Sequence, residues 1–162
     1  MAQKLEVIET ERLLLRGINE TDADLIVKWR SDPKVYRFFK LPHQITMDEH
    51  LNWYRNIYLL NESRYDWMCI EKKSNNRIGV FGLYVEQEQA EINYLLASDA
   101  QHKGYASEAI QFLITYALES LKCKSVIAEI HEDNKPSINL VKKLNFSLIS
   151  REGDFVVYRI ED

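Results

Sequence analysis

Cysteine, proline and glycine are all scarce in this chain of 162 residues, at two, three and five respectively. The two thiols, Cys69 and Cys123, stand far apart and outside any metal-ligand spacing, so no metal is expected and both read as reduced cysteines of a reducing compartment. With so few chain breakers there is no Pro/Gly/Ser linker, and there is neither a low-complexity tract nor an internal repeat. Residues 1–162 therefore read as a single domain. No apolar run is long enough to span a bilayer. Residues 1–11 alternate charged and short apolar positions, without the apolar core of a signal peptide, which makes a cytoplasmic location the expectation. Charge of one sign is also lacking: 21 basic against 25 acidic residues give a net charge of −4. No basic run of five or more occurs, so neither nucleic acid nor a membrane surface is an expected partner. What the chain does have is 46% hydrophobic residues, enough for one real core.

The patterning alternates between the periods of strand and helix. Residues 12–16 read as a first strand. Glu20, Thr21 and Asp22 cap a helix running to about Ser31, which Asp32 and Pro33 stop. Thr46 and Glu49 form a capping box for a second helix, with Leu51, Tyr54, Ile57 and Tyr58 on one face. Strands at 65–71 and 78–85 flank the turn cluster Ser74, Asn75, Asn76, and a third at 90–97 follows the polar turn 86–89. From Ala106, apolar residues recur at helical steps through Ala109, Ile110, Leu113, Ile114 and Ala117. A strand at 125–131, a helix at 135–144 and two strands near 146–150 and 155–160 complete the reading. This is an α/β chain of the α+β kind, with a mixed sheet of about six to seven strands and about four helices.

The segment Gln101, His102, Lys103, Gly104, Tyr105, Ala106 joins the 90–97 strand directly to the amphipathic helix. A helix start presents backbone N–H groups that lack intrahelical partners, at the positive end of the helix dipole, which suits a polyanion. Gly104 allows close approach of the backbone, and Ala106 lets the helix pack near the strand it left. The loop is not that of a nucleotide triphosphatase, because Tyr105 and Ala106 stand where Lys and Ser or Thr are needed. Nor is it a dinucleotide fingerprint, since no second glycine lies two residues before Gly104.

The pattern that remains, Gln/Arg-x-x-Gly-x-Gly/Ala, resembles the pyrophosphate loop of the GNAT superfamily of acetyl-coenzyme A-dependent N-acetyltransferases. A second block strengthens the resemblance: Asn134, Lys135, Pro136, Ser137, then Lys142, Lys143, Leu144, Asn145, Phe146, similar to the family's Asn-x-x-Ser element and its Lys-x-Gly-Phe ending. Asn145 stands for the usual glycine at a position that wants a left-handed backbone, which asparagine tolerates. The resemblance implies the GNAT fold with a central, mostly antiparallel sheet, and acetyl-coenzyme A as co-substrate. It implies that Leu96 and Ala97 flank the pantetheine arm and that residues 101–106 (Gln101, His102, Lys103, Gly104, Tyr105, Ala106) hold the pyrophosphate. Asn134 and Ser137 would lie beside the thioester arm, and Lys143 would reach the nucleotide phosphates. Many relatives pair through sheet edges, so a homodimer is an expectation.

The chemistry requires an amine deprotonated beside a thioester. Two carboxylates fit: Glu129, which strand alternation places on one face with His131, and Glu91, at the start of the strand feeding the loop; Glu129 is preferred. Each also fits a solvated or ion-paired strand residue. Many family members set a tyrosine on the last helix to assist the leaving thiolate, and Val141 occupies that position here. Ser137, Tyr94, Tyr105 or Tyr158 could serve instead, although Ser137 equally fits a first-turn residue and Tyr105 an exposed aromatic flanking the coenzyme.

Trp29, Arg30, Ser31, Asp32, Pro33, and then Ile45, Thr46, Glu49, His50, Leu51 and Trp53, resemble the Rim-type branch, especially enzymes that acetylate the 4-amino group of nucleotide-linked deoxyamino sugars. Arg30, Arg37, Phe38, Phe39, His50, Trp53 and Tyr54 offer charge and stacking surfaces for such an acceptor. Trp53 and Tyr54 also fit a core role, and His50 a solvated neighbour of the cap. Two other readings stand beside this one: an N-terminal alanine/serine acetyltransferase of ribosomal proteins, and a non-catalytic acyl-coenzyme A sensor.

Overall fold

A computed structural model describes residues 5–39 and 44–162. The N-terminal reading above falls partly on residues 1–4, outside the described residues. The described residues form one sheet of eight strands in the order β1-β2-β3-β4-β5-β6-β8-β7: β1 (Ile8–Glu9), β2 (Leu13–Gly17), β3 (Arg64–Glu71), β4 (Asn76–Glu86), β5 (Gln89–Leu96), β6 (Ser125–His131), β7 (Ser147–Glu152) and β8 (Phe155–Glu161). Every neighbouring pair is antiparallel except β5 and β6. Helices α1 (Ala23–Arg30), α2 (Pro33–Tyr36), α3 (Met47–Asn56), α4 (Tyr105–Thr115) and α5 (Lys135–Lys143) complete the fold.

Two elements exceed the sequence reading. β1 has two residues, too few for alternation to register. Asp32 and Pro33, read as a stop, end α1 but also start α2. Asp32 accepts the Lys34 N–H at 3.0 Å, and Pro33 fits the first helical turn, where its missing N–H costs nothing. The cap before α1 lies one residue earlier than read, because Asn19 accepts the Thr21 N–H at 2.9 Å and Asp22 answers from the third position. The capping box of α3 is present as read, with Thr46 and Glu49 bonded reciprocally at 3.0 and 3.1 Å.

Turn chemistry fixes the meander β3-β4-β5. Asn75 at the first turn has φ 62°, and Gln87 and Glu88 at the second have φ 51° and 66°. Two consecutive left-handed residues match the twist of the strands they join. Cross-strand register then builds two distinct faces. Trp67, Phe81 and Tyr94 line up across β3, β4 and β5, with Phe81 and Tyr94 stacked at 5.2 Å and Phe112 of α4 set edge-on to Trp67 at 5.4 Å. Leu83, Ile110, Leu113 and Val126 are fully buried in this layer, each worth roughly 1.5–3 kcal/mol of burial. On the opposite face Asp66, Gly82 and Asn93 line up. A Cβ on Gly82 would lie 2.0 Å from the Asp66 carboxylate and 2.9 Å from Asn93 Oδ1, so only glycine leaves room for these two side chains over the strand.

Candidate active site

The parallel pair β5 and β6 decides where a ligand can enter. The two strands are partners from Gln89 and Ser125 to Ile92 and Ala128, yet β5 continues to Leu96 and β6 to His131. Beyond Ile92 they part, and a wedge opens in the middle of the sheet. Ala97 N–H donates to the Ile78 carbonyl of β4 at 2.8 Å. Because backbone groups alternate in direction along an antiparallel pair, those of Asn93 and Leu95 also face β4, while those of Tyr94 and Leu96 turn toward the wedge. Of the pair read for the pantetheine arm, Leu96 borders the wedge, whereas the Ala97 N–H is engaged with β4 and turns away from it. Leu96 and Tyr94 are the backbone neighbours that the geometry offers.

The wedge opens into a groove of about 980 Å³ that also reaches the start of α4 and one side of α5. Gln101, His102, Gly104, Tyr105 and Ala106 line it at one end, and Asn134, Ser137 and Lys143 along its length. Lys103 does not; its carbonyl instead accepts from Arg12 at 2.9 Å. The loop turns through two left-handed residues, His102 (φ 64°) and Gly104 (φ 83°), the latter capping α4. This tight turn with exposed N–H groups at a helix start fits a pyrophosphate. Gln101 secures the loop to β5 by donating to the Leu96 carbonyl at 3.1 Å. Asn145 adopts φ 72°, the left-handed conformation read for it after α5.

Tyr105 departs from the reading of an exposed flanking aromatic. As the first residue of α4 it turns back under the loop and is only 6% exposed, its hydroxyl donating to Glu71 and its ring 4.4 Å below the Arg12 guanidinium. Among the tyrosines considered for the leaving thiolate, Tyr94 and Tyr105 line the groove; the Tyr105 hydroxyl is engaged with Glu71, whereas that of Tyr94 lies 2.6 Å from Ser137 Oγ. Burial raises the Tyr94 phenol above the ordinary tyrosine range, and the bond to Ser137 only partly offsets it, so the hydroxyl is protonated at neutral pH.

A second cavity of about 640 Å³ lies on the Asp66/Asn93 face, between the sheet and helices α1 and α3. Arg30, His50 and Trp53 line it, while Phe39, Glu91, Asn93, Tyr94 and Leu95 line both cavities. Glu129 lines the groove alone, on the half-exposed face of β6 with His131, as its alternation predicted. His50 is a correction: it is 5% exposed rather than solvated, its ring 5.7 Å from Trp53, and burial together with Arg30 holds its imidazole below the ordinary histidine range. Tyr54 is a second correction. It is a core residue, stacked on Tyr58 at 5.7 Å with its hydroxyl donating to the Ile18 carbonyl at 3.3 Å, and it does not border the cavity.

The Arg30 guanidinium sits 5.4 Å from the Phe39 ring, and its buried Nε has no hydrogen-bond partner among the described residues. Arg64, by contrast, donates to Asp66 at 3.0 Å. Asn93, Asp66 and Arg64 were missed by the sequence reading. The available signal for Asn93 was its two-residue step from Glu91 along one strand, which puts both side chains on one face.

A strand wedge, a glycine-capped helix start and two cavities that share lining residues make up the candidate site. The family model for an acetyltransferase (GNAT) domain matches residues 12–147. The chain belongs to the GNAT acetyltransferase family. It is 33% identical over 150 residues to the uncharacterised N-acetyltransferase p20 of Bacillus licheniformis, covering 88% of this chain and 83% of that one. It is 25% identical over 138 residues to acetyltransferase PseH of Campylobacter jejuni, covering 85% of each. Its fold matches the RimL ribosomal L7/L12 α-N-protein acetyltransferase, solved with coenzyme A, at a TM-score of 0.83 and 19% identity over 96% of this chain and 98% of that one. This GNAT protein is an N-acetyltransferase that uses acetyl-coenzyme A. Among the described residues no group of three or more metal-ligating side chains occurs, and no helix is long and apolar enough to cross a membrane.

Proposed function

We propose that this GNAT enzyme acetylates the primary amine of a nucleotide-linked amino sugar, by direct attack of the amine on acetyl-coenzyme A in a ternary complex. The observation that carries the reading is the junction of the two cavities at Phe39, Glu91, Asn93, Tyr94 and Leu95. The groove takes the donor, and the second cavity takes the acceptor. That cavity offers an aromatic wall at Trp53 and Phe39, a neutral imidazole at His50 and the guanidinium of Arg30. Stacking surfaces beside a guanidinium suit a base and a phosphate joined to a sugar. The relation to PseH supports the same class.

Within this arrangement Glu91 is the better placed base, because it borders both cavities and Glu129 borders only one. Glu91 takes the proton from the attacking amine. The tetrahedral intermediate collapses by breaking the C–S bond, and the Tyr94 hydroxyl, held by Ser137, donates to the departing sulfur. The deciding experiment follows thiol release from acetyl-coenzyme A against nucleotide-linked amino sugars, polyamines, amino acids and basic peptides with N-terminal alanine or serine. Release with the sugar nucleotides alone supports the proposal. Release with basic peptides identifies a ribosomal-protein type acceptor, and silence across the panel with coenzyme binding intact identifies an acyl-coenzyme A sensor.

A further inference from the structure

Arg12 lies outside both cavities, yet it touches the coenzyme loop at several points. Its backbone N–H and its Nε each donate to the Glu108 carboxylate at 2.8 Å, and Thr10 donates to the same group. Its Nη1 donates to the Lys103 carbonyl at 2.9 Å, and its guanidinium carbon stands 4.4 Å from the centre of the Tyr105 ring. A Cβ on Gly104 would come within 3.2 Å of Nη2. Lys103, Gly104, Tyr105 and Glu108 are the last loop residues and the first turn of α4, and a single planar side chain contacts them all.

The contact to Lys103 matters most. A polyanion is held by N–H groups, and a carbonyl oxygen turned toward it repels it. Arg12 occupies that carbonyl from the side of the loop away from the groove. The adjoining peptide is then fixed where Gly104 enters its left-handed conformation and the helix begins. Holding the fold together does not require this bond, since β2 is already paired with β3 over five residues and Glu108 is also held by Thr10 and the Arg12 backbone.

We propose that Arg12 is a positioning residue for the coenzyme, a guanidinium fork that locks the Lys103–Gly104 peptide so that the loop N–H groups face the pyrophosphate. The proposal rests on the assignment of the groove to coenzyme A. It deepens that assignment by naming a residue that acts through the loop rather than on the ligand. Lysine cannot replace it, because a point charge cannot bond Glu108 and the Lys103 carbonyl together in one plane.

The test compares wild-type protein with Arg12→Met and Arg12→Lys, measuring coenzyme A affinity by calorimetry and S-acetylpantetheine affinity by ligand-detected NMR. Thermal melts without ligand verify folding. Both variants are expected to bind coenzyme A about tenfold more weakly and to bind S-acetylpantetheine, which lacks the pyrophosphate, within twofold of wild type. Equal weakening of both ligands would indicate a merely structural residue and overturn the proposal. So would unchanged coenzyme A affinity in Arg12→Met, or full recovery in Arg12→Lys, which would leave charge alone as the cause. Failure of the wild-type chain to bind coenzyme A would overturn the assignment of the groove itself and this proposal with it.

Discussion

Tyr94 and Ser137 show how one residue's role depends on a neighbour 43 positions away. A serine in a helix first turn ordinarily satisfies local backbone groups. Here its hydroxyl meets the phenol of a strand tyrosine at 2.6 Å, in the layer where Val141 supplies no hydroxyl of its own. Tyr94→Phe is expected to lower kcat about tenfold, the modest effect of losing assistance to a leaving group that is already acidic, with coenzyme A affinity within twofold. Steady-state kinetics beside calorimetry checks both. For the base, Glu91→Gln should reduce kcat at neutral pH by about a hundredfold or more, and Glu129→Gln by less than tenfold. The reverse order of the two would assign the base to β6.

At the scale of elements, two strands that stop pairing and one helix capped by glycine together make the groove proposed for the donor. Gly104→Asp places a Cβ on a backbone at φ 83° and a negative charge beside the proposed pyrophosphate site. Coenzyme A affinity is expected to fall at least a hundredfold, and calorimetry showing unchanged affinity would remove the loop from the site. On the opposite face, Gly82→Ala would drive a methyl into the Asp66 carboxylate and Asn93, which line the cavity proposed for the acceptor. The expected outcome is a raised KM for the acceptor with the KM for acetyl-coenzyme A unchanged, accompanied by a loss of stability of about 1–3 kcal/mol in denaturant melts.

At the scale of the whole molecule, the buried Asp22 and His50 tie stability to pH on the acid side. Asp22 is fully buried; desolvation raises its pKa, but bonds from Arg16, the Asn19 N–H and Arg77 outweigh that and hold it below the ordinary carboxylate range. Its contribution to stability is present above about pH 4 and is lost as the pH falls through the lowered folded value. His50 also has a lowered folded pKa, so between that value and about 6.5 the unfolded chain binds more protons. Stability is therefore expected to hold steady between about pH 7 and 8 and to decline below about pH 6. His50→Gln should flatten that first decline and leave the more acidic one in place, as urea melts across the range would show. Asp22→Ala, which strands Arg16 and Arg77, is expected to cost about 3–5 kcal/mol.

Sequence alone determined most of the elements, all but the short β1 and α2, because period and turn chemistry are local. The Thr46/Glu49 box, the left-handed Asn145 and the 125–131 strand all follow from residues within a few positions of one another. The left-handed turn at Gly104 and the start of α4 were legible for the same reason, being contiguous in the chain. Only the tertiary structure decided that β5 and β6 part beyond Ile92, that Tyr105 and Tyr54 belong to the interior, and that His50 is buried. It alone brought Glu91 to the junction of two cavities and Arg12 to the back of the loop, 91 positions away from Lys103. Side-chain period states which face of an element a residue occupies. What covers that face depends on packing between elements distant in the chain, which no local pattern encodes.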